Sequence, residues 1–372
     1  MISQLPPPIH GSTVMTAALI DGLEASNVKT RLLDKRFSRT IAEVGSMSPR
    51  KAFQGMALLF RLTAQLAIYR PTHVIFFCTN RPASFVVDWA LSELLRIAGS
   101  NVINYIHTQG FTDLAARGTV WGQLVHRLLT SASLTVCLSP ILEKDIDKWV
   151  LPQDRISIAN TTRGVPVDRS GSKDDRLQQQ FRVLYFSNLI PEKGASTFVR
   201  LAISLLDSGA NATFLIVGES ADHSFLEGLH RDIATSEYSE GIRIEGAVDS
   251  ERKWNYLRSA DLLVFPSTYR FEAQPLTLIE ALAVGTPAVA FDIGGISNLI
   301  VDGVTGFVVA EDDFEALRGR VLALIGDQSL LRSFSEAAES DFSARFSFST
   351  FTESWLQALV DTSGNTRIEK PE

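Results

Sequence analysis

A chain of 372 residues with 45% hydrophobic content can bury a substantial core and is long enough for two domains, which excludes a disordered polypeptide. Its net charge of −7 hides an asymmetry. Residues 1 to 170 carry 18 Lys+Arg against 12 Asp+Glu, and the remainder 17 against 30. A basic first half suits an anionic acceptor or a lipid surface as well as scattered solvated charge, and no nucleic-acid partner is expected.

The N-terminal MISQLPPPIHGS has no basic start and meets three prolines before an apolar stretch develops, so it does not read as a signal peptide. No apolar run reaches the ~18 residues of a transmembrane helix, and the expected location is cytoplasmic, with peripheral membrane contact left open. The strand before His10 is short, about ISQL, which leaves room for missing residues upstream. Gly11 and Ser12 follow it and precede a helix through Thr13 to Leu23. Their amides suit either a phosphate or a plain turn.

Short β-branched or aromatic runs then alternate with helical lengths: VKTRLLD (28–34), HVIFFC (73–78), NVINYIH (101–107), LTVCLS (134–139) and RISIAN (155–160). That rhythm predicts a parallel sheet with crossover helices. Cys78 and Cys137 fall within these runs and read as small core residues of a reducing compartment, not a disulfide or metal pair. Between the runs, RKAFQGMALLFRLTAQLAIYR (50–70) is apolar and flanked by Arg50, Lys51, Arg61 and Arg70, with Arg31, Lys35, Arg36 and Arg39 upstream. It reads either as a basic, greasy membrane surface or as a helix buried against the sheet. Asp145-Ile146-Asp147 spells D-x-D, but its setting in PILEKDIDKWV predicts a solvated helix face.

Residues 161–180 are polar and aperiodic, and they place a domain boundary near Gly164. The rhythm restarts with FRVLYFS (181–187), ATFLIVG (212–218), IRIEG (242–246), DLLVFPS (261–267) and PAVAFD (287–292). The expected domains are 1–163, 164–345 and a returning segment, 346–372, whose FSFSTFTESWLQALV predicts a helix with Phe346, Phe351, Trp355 and Leu356 available for packing.

Ligands of parallel sheets bind beyond the carboxyl ends of the strands. In PSTYRFEAQPLTLIEALAVGTPAVAFDIGG (266–295) a strand, a loop and a helix follow one another. Pro275 suits the first helical turn, so the amides of Leu276, Thr277 and Leu278 are expected free for a phosphate. Glu272 would lie beside that helix N-terminus and Glu280 about one turn inside. Such carboxylates accept from sugar diols, whereas bare Glu pairs at this spacing usually mark solvated helix faces. In SNLIPEKG (187–194), Lys193 opens a helix against the macrodipole, which a bound anion explains better than helix stability. A solvated lysine in a turn is the plainer alternative.

The SNL-x-x-x-KG segment, the E-x7-E segment with EAxAxGTPxVAxDxGG (280–295) and DGVTGFVV (302–309) together resemble family 4 of the retaining glycosyltransferases. His10-Gly11, His107 and RGVPVD (163–168) also match. The resemblance runs over most of the chain. It implies an α/β GT-B fold, two Rossmann-like domains facing a central cleft, with the C-terminal helix crossing back to the first. It further implies that His107 contacts the transferred sugar, that Lys193 binds the diphosphate beside the amides at Thr277 and Leu278, and that Glu272 holds the sugar and Glu280 the ribose. Without the resemblance, His107 reads as a core histidine. Asn188 stands where the family usually has an arginine, which removes a charge from the leaving-group site.

The implied activity is retaining, metal-independent transfer from a UDP- or GDP-sugar, a co-substrate, with no cofactor. The implied acceptor is a glycan or a lipid-diphosphate-linked sugar of bacterial cell-surface or exopolysaccharide assembly, with Arg117 and Trp121 as candidate acceptor-lining residues. The second reading is a non-catalytic GT-B partner subunit that keeps the nucleotide pocket. A dehydrogenase is disfavoured because PIHGSTVMT (8–16) supplies no G-x-G-x-x-G.

Overall fold

The computed structural model describes residues 1–7, 10–35, 49–166 and 180–364. Arg36, Arg39, Val167, Asp168, the tail 365–372 and the side chains of Arg50 and Lys51 lie outside the described residues. Two compact units result: Met1–Thr161 with Phe348–Glu372, and Thr162–Ser347.

The first unit runs β1 (Ile2–Ser3), α1 (Gly11–Ala25), β2 (Leu33–Asp34), α2 (Pro49–Tyr69), β3 (Val74–Cys78), α3 (Pro82–Ile97), β4 (Val102–Ile106), α4 (Phe111–Ala115), α5 (Thr119–Thr130), β5 (Leu134–Cys137), α6 (Pro140–Glu143) and β6 (Arg155–Ser157). Its strands form one parallel sheet in the order β2-β1-β3-β4-β5-β6. All residues of β3, β4 and β5 are buried, as expected of strands covered by helices on both faces. The run 28–34 shrinks to the edge pair Leu33–Asp34, because an edge strand has a hydrogen-bonding neighbour on one side only.

The second unit runs β7 (Phe181–Phe186), α7 (Ala195–Asp207), β8 (Ala212–Val217), α8 (His223–Ala234), β9 (Ile242–Glu245), α9 (Ser250–Ser259), β10 (Leu262–Phe265), α10 (Leu276–Ala283), β11 (Ala288–Phe291), α11 (Ile296–Leu299), β12 (Gly306–Val309), α12 (Phe314–Gly326) and α13 (Gln328–Asp341). Its sheet is again parallel, ordered β12-β11-β10-β7-β8-β9. The chain steps outward from β7 to β9, then returns so that β10 pairs with the other side of β7. That reversal makes a topological switch point between β7 and β10, where their following loops diverge.

The last helix, α14 (Phe348–Gly364), belongs to the first unit. It starts two residues after the expected Phe346, which sits in the preceding π-turn. Trp355 is fully buried and meets the Tyr105 ring edge-on at 4.7 Å. A Cβ on Gly22 of α1 would stand 2.5 Å from Thr352 Oγ1, so glycine lets the two helices approach. Cys78 and Cys137 are buried free thiols, as the sequence suggested. Among the described residues no helix is long and apolar enough to cross a membrane.

Candidate functional site

At the switch point of the second unit the loops after β7 and β10 interlock. Gly194 adopts φ +85°, and a Cβ there would lie 2.0 Å from the carbonyl oxygen of Pro266. Only glycine fits both the backbone angle and the approach. The Thr268 amide donates to the Glu192 carbonyl at 2.8 Å, and the Tyr185 hydroxyl donates to the Lys193 carbonyl at 3.1 Å. Lys193 is therefore fixed at its backbone while its side chain extends. It lies in a single 3-10 turn, Pro191–Lys193, and α7 starts only at Ala195. The expectation that it opens the helix is corrected by one short turn, which the left-handed Gly194 separates from α7.

Lys193 Nζ donates to Glu272 Oε2 at 2.5 Å and stands 4.7 Å from the centroid of the Tyr269 ring. Glu272, buried to 6% exposure, also accepts from Ser267 Oγ at 3.1 Å. The lysine expected to hold an anion and the carboxylate expected to hold a sugar are thus each other's partners. A buried ion pair returns little net stability after desolvation, so this one costs little to exchange.

The N-terminus of α10 lies a few residues beyond Glu272. Pro275 is its N-cap, at φ −62°, with no side-chain capping bond. The amides of Leu276 and Thr277 fall in the first turn, where no intrahelical acceptor exists. The Leu278 amide donates to the Pro275 carbonyl at 3.2 Å, so the expected set of three free amides is corrected to two. The remaining long helices of the unit differ by their caps: aspartates 222, 249, 313 and 327 close α8, α9, α12 and α13. Of the longer helices, α7 and α10 are left without a side-chain cap, as is the four-residue α11, and α7 and α10 flank the switch point. Uncapped N-termini at that place suit an anionic ligand.

Glu280, buried within α10, accepts from Lys253 Nζ of α9 at 2.5 Å and, at a long 3.4 Å, from Thr162 Oγ1. Burial pushes its carboxyl above the ordinary range, while Lys253 and Thr162 pull it back. The Gly295 amide donates to the Ala273 carbonyl at 2.7 Å and so ties the Gly-Gly turn to the Glu272 loop. Asn188 is exposed in the loop after β7.

In the first unit, His107 follows β4, stacked on Phe77 at 5.0 Å between centroids and edge-on to Tyr105 at 4.1 Å. Burial, with His10 nearby adding to it, holds its imidazole down at about 3. The ring is neutral at ordinary pH, and its shielded Nε2 has no hydrogen-bond partner among the described residues. His10 is the N-cap of α1; its Nδ1 meets Ser12 Oγ at 3.1 Å and its Nε2 meets Gln4 at 2.8 Å. Gly11 and Ser12 form the first turn of α1 rather than a loop before it, and a Cβ on Gly11 would meet nothing within 4 Å.

Behind His107, the Asn80 side chain accepts from Thr108 Oγ1 at 2.8 Å and donates to the Gln109 carbonyl. Asp88 pairs with Lys35 at 2.8 Å and accepts the Thr79 amide at 2.9 Å. Asp145 is not on a solvated helix face: its carboxylate accepts the amides of Gly110, Phe111 and Thr112 at 2.7, 2.8 and 3.0 Å. That role closes the N-terminus of α4, and Asp147 is exposed. Arg117 lies beside Trp121, 5.7 Å from its ring. Trp121 packs on the first unit's core, 6.2 Å from Phe85, so packing is what the structure shows for it.

Sequence reasoning missed Lys253, Ser267, Thr162 and the separate bonds of Asn80 and Asp88. Lys253 sits in the charged run DSERKW, which carries no motif, and its partner lies 27 residues away.

Residues 170–341 match the family described as glycosyl transferases group 1. The lipopolysaccharide core biosynthesis mannosyltransferase LpcC of Rhizobium leguminosarum bv. viciae is 36% identical over 163 residues, 43% of this chain and 45% of that protein. The chain spans about half the length of the curated relatives it matches. Among solved structures, the sucrose-phosphate synthase of Thermosynechococcus elongatus superposes with TM-score 0.76 at 18% identity, covering 98% of this chain and 99% of that one. Anabaena Alr3699/HepE in complex with UDP gives 0.74 at 16% identity, covering 97% and 98%. These structural likenesses establish a two-domain GT-B fold. The similarity to the glycosyl transferases group 1 lies within residues 170–341, in the second unit.

Proposed function

From that similarity, we propose that the protein is a retaining, metal-independent glycosyltransferase of family 4, moving a hexosyl unit from a UDP- or GDP-sugar to a glycan or lipid-diphosphate-linked acceptor of a bacterial surface polysaccharide. The observation that carries the reading is the pair of buried glutamates, one just before the uncapped α10 and one within it, each neutralised by one lysine. In the donor complex the diphosphate takes Lys193 and the Leu276 and Thr277 amides. Glu272 is thereby released toward the hydroxyls of the transferred sugar, and Glu280 accepts from the ribose diol. A diphosphate outcompetes one carboxylate for an ammonium because it carries more charge and more acceptor oxygens.

The bond from the anomeric carbon to the phosphate oxygen breaks as one forms to the acceptor hydroxyl on the same face. The hydroxyl proton passes to the departing phosphate. Lys193 and the helix N-terminus stabilise the negative charge that collects there. A neutral His107 hydrogen-bonds the sugar without adding a positive charge near a developing oxocarbenium ion.

Similarity to a mannosyltransferase of lipopolysaccharide core biosynthesis supports the surface-polysaccharide role, and the UDP complex of a structural neighbour makes UDP the first nucleotide to try. Peripheral membrane contact through α2 is part of the reading, with a cytoplasmic location. Its Leu58 and Leu62 are buried, whereas Met56, Phe60 and Ile68 are 62%, 77% and 71% exposed. The exposed Asn188 favours the alternative of a non-catalytic partner subunit.

Thermal melting against UDP, GDP, ADP and their sugars tests the proposal, since a ligand bound only by the folded state raises the melting temperature. One nucleotide is expected to give a shift that Glu280→Ala abolishes. No shift with any of them sinks the catalytic reading. NMR of the product showing an inverted anomeric centre would remove retention.

A further inference from the structure

A cavity of the first unit lies at the opposite end of its sheet from His107. It is an open groove of about 930 Å³, lined by the end of α1, by residues at the starts of β1, β2 and β3, by the second half of α2 and by Leu359 of α14. Leu23, Leu33, Leu62, Leu66 and Val74 supply most of its walls, with Asn27, Thr30 and Gln65 among them. Contiguous apolar surface left open to solvent marks interaction and ligand-binding sites. A space of this size and chemistry therefore suits an apolar guest. The strands separate it from His107, which follows the carboxyl end of β4, so it is distinct from the proposed transfer site.

The mouth has a different character. Lys29 and Arg31 are exposed there, His73 stands beside them, and among the described lining residues Glu24 is the single carboxylate. Glu24 is already engaged by Thr30 Oγ1 at 2.5 Å. The Arg31 guanidinium lies 3.2 Å over the Tyr69 ring, a cation–π contact that leaves its outer edge to an anion. Tyr69 is also where the cavity meets the exposed apolar face of α2, on which Ile68, Phe60 and Met56 stand in water. A helix of 21 residues runs roughly 31 Å. Along it an apolar face leads to a cationic rim and then to an apolar interior.

We propose that this cavity binds an acyl chain of an anionic lipid, with the headgroup held by Lys29 and Arg31. Apolar walls accept the chain, the cationic mouth selects the headgroup, and the exposed face of α2 delivers the lipid from a membrane surface. The membrane contact proposed above serves here only as the source of the lipid, and the cavity is testable without vesicles or sugar transfer.

The test is calorimetric titration of the full chain with monomeric 14-carbon lysophosphatidylglycerol, below the concentration at which it forms micelles. The same titration with the zwitterionic lysophosphatidylcholine is the comparison. Saturable one-to-one binding is expected, at least fivefold weaker for the zwitterionic lipid and for Arg31→Glu. Leu66→Trp, which fills the cavity with apolar bulk, is expected to weaken binding at least tenfold with its melting temperature within a few degrees of the parent. Phe60→Asp, on the outer face of α2, is expected to keep lysolipid binding while losing co-sedimentation with phosphatidylglycerol vesicles.

Absence of saturable binding to the parent protein overturns the proposal. So does a folded Leu66→Trp that binds like the parent, or a Phe60→Asp that loses the lysolipid, since either puts the chain elsewhere. The tail 365–372 follows α14, whose Ser363 meets His73 at the cavity mouth. A variant ending at Gly364 that binds tenfold more tightly would give the cavity to that tail instead. Vesicle binding that fails while lysolipid binding persists counts against the membrane contact and leaves the cavity assignment standing.

Discussion

The two sheets present their carboxyl edges with opposite electrostatics. In the first unit the key group is a neutral imidazole set among Phe77 and Tyr105, with its Nε2 unpaired among the described residues. In the second, every titratable group expected to act is in an ion pair, Lys193 with Glu272 and Lys253 with Glu280. The contrast separates two ways of preparing a polar group for a ligand. An aromatic pocket keeps a donor or acceptor unspent by denying it a partner. A paired site keeps charges buried by giving each a partner, which under the proposed function the donor would replace.

The sharpest way to break the second unit's arrangement leaves its charges alone. Gly194→Ala would place a methyl group 2.0 Å from the Pro266 oxygen at a left-handed backbone angle. The expected loss is about 4 kcal/mol or more, the size reserved for steric conflict in a packed region. Denaturant unfolding measures it, and a change under 1 kcal/mol would show that the two loops are not locked together.

Removing one member of a pair comes next. Lys253→Met leaves Glu280 buried without its cation and is expected to cost about 2 to 3 kcal/mol, below the range for a fully buried pair because Lys253 is partly exposed. The double variant Lys253→Met, Glu280→Leu is expected to recover most of that stability while losing nucleotide binding. If Lys253→Met and the double variant are both as stable as the parent, the pairing carries no cost and the exchange of partners loses its basis.

The first unit answers to pH. The folded His107 imidazole titrates at about 3, below its ordinary value near 6.5. Between those values the unfolded chain binds more protons, so stability falls as pH falls through the window. His107→Gln is expected to flatten the melting temperature between pH 6.5 and 4, removing a slope of up to about 1.4 kcal/mol per pH unit. Glu280 works in the reverse sense: its carboxyl is raised in the folded state, so its contribution is lost as pH rises above the ordinary carboxylate range. Glu280→Gln is expected to change the slope in the opposite direction from His107→Gln, and equal changes would contradict the contrast.

The smallest effect concerns the loop after β7. Asn188→Arg returns a charge to an exposed position and is expected to tighten nucleotide diphosphate binding about three- to fivefold, under 1 kcal/mol for a solvent-screened contact. Equilibrium titration with UDP reads it, and unchanged affinity would mean that residue 188 does not face the phosphates.

Contiguous features were legible in the chain before its structure. Runs such as HVIFFC and ATFLIVG became strands nearly residue for residue, because doubly covered strands must be apolar throughout. The E-x7-E segment and the KG pair were visible because each is local. What escaped notice depends on long separations. Lys253 meets Glu280 across 27 residues, and Lys193 meets Glu272 across 79. Asp145 caps a helix that starts 34 residues earlier, and no periodicity or spacing signals such a bond. The error at Leu278 has another cause, since a first turn that tightens toward 3-10 geometry changes which amides stay free without changing the sequence pattern.

The return of α14 to the first unit has a consequence during synthesis. Residues covering Tyr105 and the face of α1 at Gly22 leave the ribosome only after the whole second unit has been made. At ordinary translation speeds that interval is roughly 10 to 40 s. Throughout it the nascent first unit lacks one wall, with Tyr105 and α1 open to chaperones or to mispairing. The later unit can close before the earlier one does, and a chain released before Phe348 would carry a finished second unit beside an unfinished first.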